Sequence, residues 1–141
     1  MLKRFAGDWD ATVNFAGNES KAFSQSKIVL GGFWLQDEFK GEFAGMPFEG
    51  KGTTGYDPMK KKYVSTWIDS MSPSLLVMEG EFDKDGKTFT ATGEGPGPEG
   101  KPTKMKNVYE WPDANTMTFV MYNIVDGKEQ QAFKINYKRR K

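Results

Sequence analysis

The sequence predicts an all-β protein, a single up-and-down antiparallel barrel of about ten strands. Three observations lead there. Turn-forming dipeptides recur at short, regular spacing, the runs between them alternate apolar with polar residues, and no long stretch carries a helical stripe. The 16 glycines and the 14% aromatic content suit closely spaced turns and a pleated, half-buried surface.

Taken in order, strands are predicted over residues 8–16, 21–30, 33–43, 47–56, 62–70, 75–83, 88–94, 103–111, 116–122 and 130–139. The separators are Gly17-Asn18, Gly31-Gly32, Gly45-Met46-Pro47, Asp57-Pro58, Asp83-Lys84-Asp85-Gly86, Pro112-Asp113-Ala114-Asn115 and Asp126-Gly127. Gly95-Pro96-Gly97-Pro98-Glu99-Gly100 is the one longer loop, and no boundary or repeat divides residues 1–141, which read as one domain. Short links make sequential strands neighbours, and so many twisted strands seldom stay open, so the sheet closes on itself.

Alternation assigns the inner face. Trp9, Ala11, Val13 and Phe15 share one face of the first strand, and Phe133, Ile135, Tyr137 and Arg139 share one face of the last. Closing the turn at Gly45-Met46 sets Phe43 opposite Phe48, Phe39 opposite Gly52 and Asp37 opposite Thr54. Closing the turn at Asp57-Pro58 sets Tyr56 opposite Tyr63, Thr54 opposite Ser65 and Gly52 opposite Trp67. The next strand then brings Met78 beside Trp67, Gly80 beside Ser65 and Phe82 beside Tyr63. Phe39, Thr54 and Trp67 are expected inside, and Glu38, Lys51 and Thr66 outside, because a slip of one residue would bury Glu49 and Lys51.

This register makes Asp37, Thr54 and Ser65 an inward polar row beside Gly80, with Trp67 one step along. A carboxylate between Leu35 and Phe39 is costly unless it is paired or hydrated. Either Asp37 bonds Thr54 and internal water, or the row lines a ligand cavity with Trp67 as its stacking wall. Asp69 either caps the loop Met71-Ser72-Pro73 or faces a ligand at the barrel mouth. Asn107 shares an inner face with Tyr109 and Trp111. The candidate ligand-binding residues are therefore Asp37, Thr54, Ser65, Trp67, Asp69 and Asn107, and no catalytic, cofactor-binding or metal-binding residue is predicted.

Composition removes several chemistries. The chain has no Cys and no His, which excludes disulfides, thiolate nucleophiles, Ser-His-Asp triads, His-ligated haem and almost every zinc site. Any metal would need oxygen ligands. Lys and Arg number 20 against 19 Asp and Glu, a balance that argues against a nucleic-acid partner. The runs Lys60-Lys61-Lys62 and Lys138-Arg139-Arg140-Lys141 read as a solvated turn and a solvated chain end. The stretch from Met1 to Asp8 lacks the apolar run of a signal peptide, and no segment has the length of a membrane helix. A soluble cytoplasmic protein is expected.

The runs Leu30-Gly31-Gly32-Phe33-Trp34-Leu35, Gly41-Glu42-Phe43, Gly45-Met46-Pro47-Phe48-Glu49-Gly50, Gly55-Tyr56-Asp57 and Trp67-Ile68-Asp69-Ser70 carry a resemblance that extends over nearly the whole chain. Together they resemble a bacterial family of small proteins, domain of unknown function fifteen seventy-nine. That resemblance implies a fold and no activity. More loosely, Gly7-Asp8-Trp9 resembles the early Gly-x-Trp of calycin barrels, which include lipocalins and nitrobindin-like proteins. In lipocalins that Trp packs against an Arg from the last strand, and the resemblance implies that Arg139 lies over Trp9 and plugs one end. It does not extend to haem, since nitrobindin-like proteins use a His ligand.

The resulting expectation is a barrel that binds a small, mostly apolar ligand. Two alternatives stand beside it: a hydrolase- or isomerase-type enzyme using Asp37 and Asp69 as acid and base, and a structural interaction module with a filled barrel. A homodimer is compatible with each.

Overall fold

The computed structural model describes residues 2–97 and 100–140. Among these, ten strands follow one another: β1 (Gly7–Phe15), β2 (Asn18–Val29), β3 (Trp34–Phe43), β4 (Met46–Asp57), β5 (Lys62–Asp69), β6 (Ser72–Phe82), β7 (Thr88–Pro96), β8 (Pro102–Asp113), β9 (Thr116–Val125) and β10 (Lys128–Arg139). Each pairs antiparallel with its neighbour in sequence, and β10 returns to β1 to close the barrel. The predicted topology is the observed one. Short 3-10 turns at Leu2–Arg4 and Leu30–Gly32 are the other regular pieces among the described residues, so no helix here is long and apolar enough to cross a membrane.

Three hairpins close with two-residue turns of one kind. Ala16-Gly17, Ala44-Gly45 and Asp126-Gly127 all have both residues at positive φ, the twist that matches right-handed strands. This geometry corrects the register expected at β3–β4. Phe43 pairs with Met46 rather than Phe48, Phe39 with Gly50 rather than Gly52, and Asp37 with Gly52 rather than Thr54. The cause is Ala44, an ordinary residue that accepts φ 52° and so tightens the turn by one position on each strand.

A second correction lies at β5–β6, where the turn is Ser70-Met71 and a bulge falls between Trp67 and Asp69. Trp67 pairs with Leu76, Ser65 with Met78 and Tyr63 with Gly80, each two positions from expectation. Both shifts are even, so every side chain keeps its predicted face. Phe39 and Thr54 are buried; outside, Glu38 reaches Lys51 at 3.9 Å and the Thr53 and Thr66 hydroxyls meet at 2.6 Å.

The barrel has a base, where β1 begins and β10 ends, and a rim at the opposite end that carries the Ala16-Gly17, Ala44-Gly45 and Asp126-Gly127 hairpins. Phe5 closes the base, with its ring edge-on to Phe82, Phe89, Tyr109 and Trp111 at centroid distances of 4.9–6.2 Å. The Trp9 indole N–H donates to the Phe5 carbonyl at 2.9 Å, which fixes the entering chain under the barrel. Arg139 lies 4.2 Å from the centre of the Trp9 ring, as the Gly-x-Trp comparison implied, and donates to the Ala6 and Ala114 carbonyls at 2.6 and 3.2 Å. Arg140 is not a frayed end. It pairs with Asp10 and lies 4.2 Å over Phe23 on the outer surface. At the rim, Phe15, Phe43, Phe48 and Phe133 bunch at 5.0–5.6 Å.

Candidate functional site

Between these two aromatic layers the interior turns polar. β2 contributes Ser24 and Ser26 to the inner face, both buried, because Trp9 pairs with Ser24 and Gly7 with Ser26. Next comes Asp37, directly opposite Ser26, then Gly52, then Trp67. The four positions form one row across the barrel wall. Asp37 Oδ1 accepts a hydrogen bond from the Ser26 hydroxyl.

The glycines shape this row. A Cβ on Gly52 would sit 3.1 Å from the Trp67 ring and 3.6 Å from Asp37 Oδ2. A Cβ on Gly50 would collide with the ring outright. The indole therefore lies flat on bare backbone, beside the carboxylate. Its N–H donates to Asp69 Oδ2 at 2.8 Å, and Asp69 Oδ1 accepts the Met71 amide at 2.9 Å. Asp69 thus caps the turn and orients Trp67.

Asp37 sits deep, and burial pushes its carboxyl up from 3.8 to about 6, with the Ser26 hydroxyl opposing part of the rise. Tyr109 and Tyr137 are raised above the ordinary phenol value, chiefly by desolvation and further by the Asp37 charge. Strand pairing puts both rings on the inner face, Tyr109 on β8 beside Phe119 and Tyr137 on β10 beside Trp9. Deep as it is, Asp37 is only half-buried, as are Ser65, Trp67, Asn107, Met121 and Tyr137, all of which point inward. Inward residues elsewhere, such as Trp9, Val13 and Leu35, are fully enclosed.

The remaining predicted residues fall as follows. Thr54 pairs with Leu35 and Ser65, and Ser65 with Met78, so these hydroxyls flank Asp37 diagonally rather than in a row with it. The predicted straight row is corrected to this diagonal. Asn107 donates to the Met78 sulfur at 3.0 Å, and its carbonyl oxygen is buried without a partner. The Asn123 carbonyl oxygen, inward from β9 beside Met105, is likewise unpartnered. Sequence reasoning missed Ser24, Ser26, Tyr137 and Asn123 as members of this lining. Period-two spacing over 20–28, read against the first strand, would have found the two serines.

The arrangement bears on the acid/base alternative. Asp37 and Asp69 lie two strands and two residues apart, roughly 12 Å between Cα atoms from ideal sheet spacings. Asp69 is committed to Trp67 and the turn. Among the described residues no three carboxylates come together as a metal site would require.

No curated protein matches the chain. Solved structures do. The S-type phycobiliprotein lyase of Guillardia theta is 13% identical with a TM-score of 0.65, covering 99% of this chain and 90% of its own. Two redesigned β barrels are each 15% identical over 99% of this chain. One has a TM-score of 0.51 over 95% of its own length, and the other, mFAP1 bound to DFHBI, has 0.50 over 97%. At these identities the likeness is one of fold. Residues 1–139 match the family described as "Protein of unknown function (DUF1579)", and the chain belongs to that family.

Proposed function

We propose that this protein binds a small, mostly apolar molecule carrying one or two polar groups inside its barrel. One observation carries the reading: Asp37 lies deep in a closed barrel beside Trp67, yet among the described residues no protein donor reaches its Oδ2, and the residue is only half-buried, which leaves space beside it. A filled core would leave no such space beside a charge, because an uncompensated buried carboxylate is among the most expensive groups a core can hold. Aromatic surface with a few convergent polar groups is the usual make-up of a small-molecule site. Barrels of similar fold include one solved with DFHBI bound, which suits the same use of an interior. Thr54, Ser65 and Asn107 would supply the secondary polar contacts, and Asp69 would act through Trp67.

Native mass spectrometry of protein purified from its own host tests this. The expected spectrum shows a non-covalent adduct of small-molecule mass, one per chain, lost on denaturation. A bare chain mass under conditions that preserve a control holo-barrel contradicts it.

A further inference from the structure

We infer that the ligand is a flat organic cation, an aromatic amine, amidine or protonated heterocycle, whose N–H group docks on Asp37 Oδ2 while its ring lies along Trp67. This rests on the binding reading above and names the ligand class. Asp37 Oδ1 takes the Ser26 hydroxyl, and among the described residues no donor reaches Oδ2, which lies over Gly52 on the side of the Trp67 ring. Among the described residues, the fully buried side-chain oxygens of the middle layer that lack a partner are the amide oxygens of Asn107 and Asn123, both acceptors. The Trp111 indole N–H, also without a partner, lies in the base layer, and the Ser24, Thr54, Ser65, Tyr109 and Tyr137 hydroxyls can donate or accept. Acceptor-only oxygens that no donor of the wall fills, Asp37 Oδ2 above all, call for a ligand that brings donors.

Charge points the same way. The ion pairs among the described residues are on the outer surface and none includes Asp37. Arg139 is at the base, held over Trp9 and by two carbonyls. A cationic ligand would supply the missing counter-charge, whereas an anionic one would meet the carboxylate head-on. Planarity follows from Trp67, which is spread on Gly50 and Gly52 and half-buried, a surface suited to stacking and to cation–π contact.

The test uses three probes of one shape: 2-naphthamidine (cationic), 2-naphthamide (neutral) and 2-naphthoate (anionic), titrated while tryptophan fluorescence is followed. At pH 8 the amidine is expected to bind at least about tenfold tighter than the amide, with the naphthoate weakest. Asp37→Asn should erase the amidine's advantage over the amide, and a cooperative thermal transition at or above that of wild type at pH 8 shows that the variant is folded. Lowering the pH from 8 to 5 should weaken amidine binding about tenfold in wild type and leave it unchanged in Asp37→Asn. The groups facing Asp37 are Ser24 and Ser26 from β2, Thr54 from β4, Ser65 and Trp67 from β5, Tyr109 from β8 and Tyr137 from β10. Only the tyrosines among them titrate, and both are pushed upward, away from this pH window. Equal binding of amidine and amide, tighter naphthoate, or an amidine preference that survives Asp37→Asn overturns the cation assignment while leaving ligand binding intact. Failure of all three probes to bind counts against the binding reading itself.

Discussion

Arg139→Ala is expected to lower the melting temperature by roughly 5–12 °C, the signature of a stabilising plug rather than a loose chain end. The guanidinium covers the face of Trp9, a fully buried indole, and one of its nitrogens reaches the Ala6 carbonyl at 2.6 Å. A desolvated cation–π contact contributes about 1–2 kcal/mol, and a hydrogen bond from a charged donor about 1.5–3 kcal/mol. Removing both also leaves the Ala6 carbonyl without its donor, at the point where the chain enters the barrel. Gly7 beside it has φ 133°, and a Cβ there would clash with the Arg139 guanidinium, so the backbone is shaped around this side chain. Arg139→Lys should recover only part of the loss, because one ammonium cannot cover the ring and span two carbonyls together. Arg140→Ala should cost far less. Its pair with Asp10 is exposed and screened by salt. Thermal denaturation of the three variants, with wild type, decides the matter; equal small shifts at 139 and 140 would remove the plug.

Asp37→Asn should do the opposite and stabilise the free protein at neutral pH. The folded carboxyl titrates at about 6 against 3.8 in the unfolded chain, so the native state binds the proton more tightly. Below pH 4 the group is protonated in both states and contributes no difference. As pH rises from about 4 to about 6 the unfolded chain releases its proton first, and stability falls. Above this window the ionised group costs roughly 2–3 kcal/mol. Asn keeps the shape and an oxygen for Ser26, and removes the charge. The variant should melt roughly 4–10 °C higher at pH 7.5 and within a degree or two of wild type at pH 4. A gain of the same size at both pH values would show that ionisation is not its source. A residue that weakens its own fold at working pH is the pattern of a functional position, where stability is given up for binding.

The fold was readable because its signal is local. Period two places Trp9, Phe39, Thr54, Trp67 and Ile135 on the inner face wherever the strands start, so facing survived both errors of register. The pairing itself depends on turn conformation, and there the signal failed. Nothing in Phe43-Ala44-Gly45-Met46 announces that Ala44 will take a left-handed conformation, nor that a bulge will follow Trp67. Asp37 stood out as an inward carboxylate among apolar neighbours. Its partner Ser26 did not, because Ser20, Ser24 and Ser26 on one face look like any solvated strand until the pairing with β1 turns that face inward. The base was likewise hidden. Phe5 precedes the first strand, and its place among Phe82, Phe89, Tyr109 and Trp111 comes from tertiary closure rather than from any local pattern.

The central claim is an open, polar-lined interior at Asp37 that accepts a small molecule, and titration with a neutral solvatochromic naphthalene dye tests it most directly. The comparison is between wild type and Ser65→Phe, which places a ring in the half-buried space beside Thr54 and Met78. A second apolar surface exists for the dye, since Leu30, Phe33, Trp34 and Met59 are exposed on the outside of the barrel. The account predicts saturable one-to-one binding to wild type, quenching of tryptophan emission, and loss of both in a Ser65→Phe protein that still melts cooperatively. Dye binding of equal strength in the two proteins would place the dye on the outer patch and contradict an interior site.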